Sequence, residues 1–477
     1  MPSIAATHGV GSWYSEAHHF FNLCRVLSAV CFLGAWSPLR AQDTPPATAA
    51  VDLPDVVFII SDDQAWSDYS FMDHPHIQTP QIDQLARESL LFTRGYVPDS
   101  LCRPSLATMI SGLYPHQHGI VGNDPPPYST KDDVKGAEAA RGRLYRNADY
   151  QKAIEEYLRL HIDRMQTLPD RLKSLGYVSL QTGKWWEGNY ARGGFDAGMT
   201  HGDHQRGGRH GDEGLKIGRN TMQPIEDFVS AAKQDGNPYF LWYAPFLPHT
   251  PHNPPQDLLA KYQKLTDSPA IAKYWAMCEW FDQSVGELRK IISTRGRADS
   301  TLIVYVCDNG WINLPDRSAY APKSKRSQYD GGVRTPIMIH WPKRVPVQRD
   351  EMHLASSIDL VPTVMKLVGL PPDEGLPGID LTDAKQVAGR QAVFGEILEH
   401  DVQSMNDPAT SLMYRWVISG KWKLIIPTPH RVPDGEIELY DLSADPWETK
   451  NLAQQTPRQV AQLRSQLDQW WSPATSK

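Results

Sequence analysis

From about residue 54 onward, short apolar runs alternate with stretches whose apolar positions recur every three or four residues. VVFII (56–60), VSLQT (178–182), YFLWY (239–243), TLIVYV (301–306) and PIMIHW (336–341) are rich in β-branched and aromatic residues and predict buried strands. LPDRLKSLGY, closed by Gly176, and the long stretch from about Ile271 to Thr294 carry helical spacing. Strands that are apolar throughout are buried on both faces. Interleaved with helices, they predict an α/β fold with a mostly parallel central sheet and helices on both faces. The pattern changes near residue 390: RWVISGKWKLIIP predicts a hairpin turning at Gly420, IELYDL a further strand, and 457–471 a closing helix. The chain therefore divides into a domain over 54–390 and a small C-terminal α+β domain over 391–477.

Before residue 54 the pattern is different. Arg25 precedes the apolar stretch VLSAVCFLGAW, and Ala41 follows it as a small residue at a plausible cleavage point. The apolar stretch is too short to span a bilayer. It predicts a signal peptide over 1–41 and a linker over 42–53, hence a periplasmic or secreted protein with no membrane span. Loss of that segment would take Cys24 and Cys31 and leave Cys102, Cys278 and Cys307. An odd number argues against a disulfide framework and leaves at least one thiol to explain. A composition 40% hydrophobic and 22% charged excludes a disordered or fibrous chain, and a net charge of -7 argues against a nucleic-acid partner.

The chemistry gathers at strand ends. VVFII runs into Ser61-Asp62-Asp63, and LIVYV into Cys307-Asp308-Asn309-Gly310. Ligands of doubly wound sheets bind beyond the carboxyl ends of the strands, so three carboxylates and an amide oxygen could meet there. Without a cation, each close pair of carboxylates costs roughly 4 kcal/mol at an effective dielectric near 20. Hard oxygen donors favour Ca²⁺, with Mg²⁺ second, over zinc. Either strand alone is as well explained by acids capping a turn; both together point to a metal site made of Asp62, Asp63, Asp308 and Asn309. Cys102 stands just ahead of a helical stretch that ends at Gly112, a position that lowers a thiol pKa and attracts anions.

Around that cysteine the chain resembles the sulfatase family of the alkaline-phosphatase-like fold. Cys102-Arg103-Pro104-Ser105 with Ser111-Gly112 matches the family's C/S-x-P-S-R signature and the Thr/Ser-Gly after its helix, and Leu113-Tyr114-Pro115-His116 continues it. Asp62-Asp63 and Asp308-Asn309 match the two metal pairs, Thr182-Gly183-Lys184-Trp185 the start of G-K-W-H, and Pro248-His249-Thr250-Pro251 the P-H-x-P motif. Lys325, four residues before the run from Tyr329 to Pro336, matches the substrate lysine; Leu439-Tyr440-Asp441-Leu442, Asp445-Pro446 and Asn451-Leu452 close the series. The resemblance covers about 54 to 455 in the family's order.

It implies that Cys102 is oxidised by a maturation enzyme to formylglycine, whose hydrated form attacks sulfur next to one Ca²⁺, Cys102 itself joining the metal ligands. It also implies that Lys184 and Lys325 hold the sulfate and that His249, with His252 as second choice, gives a proton to the leaving oxygen. The substrate class implied is a sulfate ester, with sulfated carbohydrate first. Two positions depart from the pattern. The signature Arg is Leu106, and the motif His is Trp186; His201, His204 or His210, in a stretch that also holds Arg206 and Arg209, could stand in for it. Residues 124–165 read as an insertion that shapes specificity. Phosphoester or phosphonate ester hydrolysis on the same fold, and a sulfate-binding protein without catalysis, are the competing readings.

Overall fold

The computed structural model of the protein describes residues 53–125, 148–203, 206 and 208–473. The signal segment, nearly all of the linker, most of the insertion and His204 lie outside the described residues. Nine strands make the main sheet: β1 Asp55–Ser61, β2 Leu90–Tyr96, β3 Val178–Gly183, β4 Ala197–Gly198, β5 Tyr239–Ala244, β6 Thr301–Cys307, β7 Arg334–His340, β8 Gln348–Asp350 and β9 Ala355–Ser356. Their order is β4-β3-β5-β1-β6-β7-β2-β8, with β9 also on β2. β7 alone runs against its neighbours β6 and β2; the other pairings are parallel.

The five runs picked out as buried strands are β1, β3, β5, β6 and β7. β1 shows why they are apolar throughout. Val56, Phe58 and Ile60 point into one core, and Val57 and Ile59 into another on the opposite face. The principal helices are α1 Pro80–Arg87, α2 Cys102–Ser111, α3 Ala148–Leu160, α4 Gln223–Asp235, α5 Pro269–Arg295, α6 Leu360–Leu367 and α7 Pro457–Trp470. α2 and α6 cover the first face through Leu106, Met109, Leu360 and Val364. α1, α4 and α5 cover the second through Leu85, Val229, Met277 and Phe281. Each such side chain, fully buried, contributes about 1.5–3 kcal/mol relative to exposure.

A separate antiparallel sheet follows, in the order β10 Val393–Leu398, β11 Leu412–Ser419, β12 Trp422–Pro427 and β13 Glu438–Asp441. Ser419 pairs with Trp422, so Gly420, at φ 57°, opens a two-residue turn. Alternation along β11 again sorts the side chains. Val417 packs under α7 with Leu463 and Leu467, whereas Trp416 and Ile418 join the core of the main sheet. The small sheet thus lies between α7 and the large core.

Candidate active site

Strand register builds the site. β1 and β6 are adjacent and parallel, with Ser61 opposite Cys307, so the residues that follow, Asp62-Asp63 and Asp308-Asn309, leave the sheet side by side. Asp308 N–H donates to Ser61 O at 2.9 Å and Asp63 N–H to Asp308 Oδ1 at 3.1 Å. Asn309 Nδ2 donates to Asp63 Oδ1 at 2.7 Å. Asp63 holds a left-handed backbone, φ 67°, uncommon for a residue with a side chain.

Cys102 is the first residue of α2, not the residue before it. Ser105 fixes the start of that helix by donating from Oγ to Asp308 O at 2.6 Å, and Cys102 Sγ lies 3.5 Å from Asn309 Oδ1. The expectation of a lowered thiol pKa fails. Burial pushes the Cys102 thiol up to about 11, against the pull of Lys184 and Lys325. Desolvation of a thiolate outweighs a helix terminus and two cations when the sulfur is buried. Cys102, Cys278 and Cys307 are all free and buried.

Lys184 follows β3 and has 1% of its side chain exposed. Gly183 before it, at φ 79°, comes so close to β5 that an added Cβ would meet Ala244 O at 1.9 Å. Only glycine fits there. Lys184 Nζ lies 2.6 Å from Asp62 Oδ1 and 3.3 Å from Asp308 Oδ2, and Lys325 Nζ 2.6 and 2.8 Å from the two oxygens of Asp63. Burial tends to strip both ammonium groups of their protons, but Asp62 beside Lys184 and Asp63 beside Lys325 hold them above the usual lysine range. In the other direction, burial raises Asp62 and Asp63, with Asp308 adding repulsion at Asp62.

The loop from Pro245 to Pro251 brings His249. Leu247 O accepts from Asp62 N–H at 3.0 Å, and Arg219 donates to the carbonyls of Phe246 and His249. His249 Nε2 is 3.4 Å from Asp63 Oδ2, Nδ1 is 2.6 Å from Thr250 O, and the ring stacks on Phe246 at 4.1 Å. His210 joins this group, 5.1 Å from Phe246 and 5.2 Å from Trp186. Burial, then Lys325 and Lys184, hold His249 well below the usual histidine range; burial and Arg209 do the same to His210. His252 stands apart, packed between Tyr274 and Trp311. His201 is exposed and lies against Tyr190.

Ligand atoms of Asp62, Asp63, Cys102 and His249 all lie within 4.8 Å of one another. Asp308 and Asn309 are bonded to the same group, and Asp62 Oδ2 is buried without a protein partner. A buried carboxylate oxygen left without a proton donor, among further hard oxygen donors, fits a divalent cation. Leu106, where the signature has Arg, is 3% exposed and packs in the core beside α2's own Met109. Trp186 is covered by the Arg209 guanidinium at 4.5 Å. Sequence reasoning missed the bidentate pairing of Arg103 with Glu187, 2.7 Å at both contacts, and the Phe246 stack; no motif marks either.

A sulfatase family model matches residues 54–370, and the model for the C-terminal part of N-sulphoglucosamine sulphohydrolase matches 320–472. The protein is a sulfuric ester hydrolase by class. It belongs to the sulfatase family. N-acetylgalactosamine-6-sulfatase of Canis lupus familiaris is 26% identical over 377 residues, covering 71% of this chain and 67% of its own. Arylsulfatase A of Homo sapiens is 27% identical, covering 87% of this chain and 88% of its own. Among solved structures, that of Ps i-CgsB in complex with k-i-k-neocarrahexaose superposes with a TM-score of 0.67 at 21% identity, covering 88% of this chain and 93% of that one. No helix among the described residues is long and apolar enough to cross a membrane.

Proposed function

We propose that the protein hydrolyses sulfate esters of carbohydrates, with formylglycine made from Cys102 as nucleophile and one Ca²⁺ held by Asp62, Asp63, Asp308 and Asn309. The observation that carries this reading is the meeting of those four side chains with Cys102, Lys184 and Lys325 in one buried cluster. A bound cation would supply Lewis-acid stabilisation of negative charge. The chain's own residues do the rest. Lys184 and Lys325 supply fixed positive charge for the sulfate oxygens in a site where water is scarce. His249, kept neutral by burial and then by its two lysine neighbours, takes up a proton from solvent as the substrate's negative charge arrives, and Nε2 then donates it to the leaving oxygen. The bond of Nδ1 to Thr250 O fixes the ring for that step. His210 takes a place beside the sulfate where the motif histidine is missing. His252, the second choice, packs on Tyr274 and Trp311, which leaves His249 as the better placed donor.

The domain division at residue 390 belongs to the same proposal, supported by the separate sheet that starts at Val393. So do export, supported by the apolar stretch after Arg25, and a maturation enzyme acting on the Cys102 segment. Mass spectrometry of the Cys102 peptide from the native host, with sulfate release from aryl and sugar esters, tests the reading. An aldehyde at Cys102 and activity lost in Cys102→Ala are the expected results. A thiol there with no sulfate released would leave a sulfate-binding protein; phosphate or phosphonate ester turnover alone would replace the reaction.

A further inference from the structure

Arg103 and Trp186, close in the chain to Cys102 and Lys184, line a cavity of about 180 Å³. Asn123, Asp124 and Arg209 line it as well, together with Ile154 and Leu158 of α3. The cavity is joined to the reactive centre through the chain and through space. Arg103 is the residue after Cys102, and Trp186 is the second after Lys184. Rings run on from His249 to Phe246 at 4.1 Å, to His210 at 5.1 Å and to Trp186 at 5.2 Å, and Trp186, the last of them, lines the cavity.

The charges of the cavity are already matched. Arg103 makes two contacts of 2.7 Å with Glu187. Arg209 lies on Trp186 and reaches Asp124 with Nε at 3.0 Å and Nη2 at 2.5 Å. Arg192, also on the lining, pairs with Asp163 at 2.7 Å and with Glu155. Each arginine that lines the space therefore faces a carboxylate. A second anionic group on a ligand would meet that carboxylate as well as the guanidinium and would lose its hydration for little return. Hydroxyl groups are served better, since Arg103 and Arg209 donate, Asp124 accepts, and Ile154, Leu158 and Trp186 offer apolar surface to a ring face.

We infer that this cavity receives the sugar ring that bears the sulfate, and that its charge balance selects an uncharged ring with a single sulfate over a uronate or a doubly sulfated ring. The inference rests on the sulfate-ester reading and names its substrate class.

The test compares kcat/KM of the whole protein on para-nitrophenyl sulfate, the positional isomers of galactose monosulfate, a sulfated hexuronate and a disulfated hexosamine. The aryl ester reports on the reaction alone, and the ranking of the three sugar classes reports on the cavity. At least one galactose monosulfate is expected to exceed both anionic sugars by about tenfold, the effect of one poorly compensated charge. Asp124→Asn leaves the cavity one positive charge richer and should move the ranking toward the anionic sugars by a similar factor. Arg209→Gln makes it one charge more acidic, should widen the original preference, and serves if Asp124→Asn does not fold. If neither the aryl ester nor any of the sugar sulfates is hydrolysed, the sulfate-ester reading fails by itself. Calorimetric binding of the same sugars to the Cys102→Ser variant then gives the ranking. A wild-type preference for uronate or disulfated sugar, by rate or by binding, overturns the inference. So does a ranking that the two variants leave unmoved or shift in the same direction.

Discussion

Lys184 sits at the centre of the site with its ammonium 2.6 Å from Asp62 and 3.3 Å from Asp308, all three groups buried. Removing one partner of such a group leaves uncompensated charge, which costs about 3–5 kcal/mol. Lys184→Met should therefore destabilise the protein by that order in chelator, and excess Ca²⁺ should return part of the loss, because a cation bound only by the folded state adds stability by mass action. Urea unfolding of both proteins, with chelator and with Ca²⁺, measures it. Wild-type protein should also melt lower in chelator; equal melting with and without Ca²⁺ would mean that the acids cap the strand ends and hold no ion. At this scale the sequence is readable where chemistry depends on residue type and order: two acidic strand ends and two motif lysines are visible as letters, and they meet. It is unreadable where burial decides the sign. Cys102 stands at a helix start, yet its thiol is raised to about 11, since the depth of the sulfur is a tertiary quantity. In the same way His210 and His252 look alike as letters, but only the first packs beside Trp186 and Phe246.

Among elements, the positions of the acids follow from the register of β1 on β6, and that register needs the flanking helices to be fixed. α5 holds α1 through Asp282, 1% exposed, whose carboxylate accepts N–H of Gln81 at 3.2 Å and of Ile82 at 2.8 Å. These donors favour the ionised form, but burial dominates and pushes the carboxyl up to about 7. In the unfolded chain the same group has a pKa of about 3.9. The folded state therefore keeps a proton that the unfolded state releases between those values. Stability from this group is full below pH of about 4 and falls as pH rises through about 7. Asn cannot titrate, so the stability of wild type relative to Asp282→Asn should decline over that window. A difference independent of pH would show that the two N–H donors offset burial and keep Asp282 ionised throughout. The elements themselves were legible where apolar runs are unbroken, as in β1, β5 and β6. β2 escaped notice because its sequence, LLFTRGY, places Arg94 and Gly95 inside the strand. Arg94 is satisfied by carbonyls of Met352 and Gly420, and Gly95 allows β7 to approach, with Thr335 O only 2.4 Å from where a Cβ would stand. Both compensations lie far away in sequence.

In the whole molecule, the small sheet bears on the chemistry through one buried ion cluster. Lys423 of β12 is fully buried, with Nζ 2.8 Å from Asp330 and 2.9 Å from Glu448. Glu448 accepts the Asp330 N–H at 2.6 Å, and its carbonyl accepts from Lys323, two residues before Lys325. The segment that carries Lys325 is thus tied at both ends to residues from beyond position 390. This explains why the sequence pattern changes there without the later part losing contact with the site: Trp416 and Ile418 pack into the main core while Lys423 reaches the loop. Burial raises the Glu448 carboxyl to about 7, so its share in balancing Lys423 shrinks as the pH falls below that value. Lys423→Met should cost about 3–5 kcal/mol by leaving Asp330 buried with Arg334 3.8 Å away and the Tyr96 hydroxyl at 3.4 Å opposite it. Adding Asp330→Asn removes the orphaned charge and should return most of that stability. Turnover should not recover with it, since the tie between the small sheet and the Lys325 segment stays broken. Unfolding free energies and kcat of the two single variants and the double variant form the test. A double variant no more stable than Lys423→Met would mean that the two charges are not coupled, and full turnover in Lys423→Met would mean that the small sheet holds the fold without holding Lys325 in place.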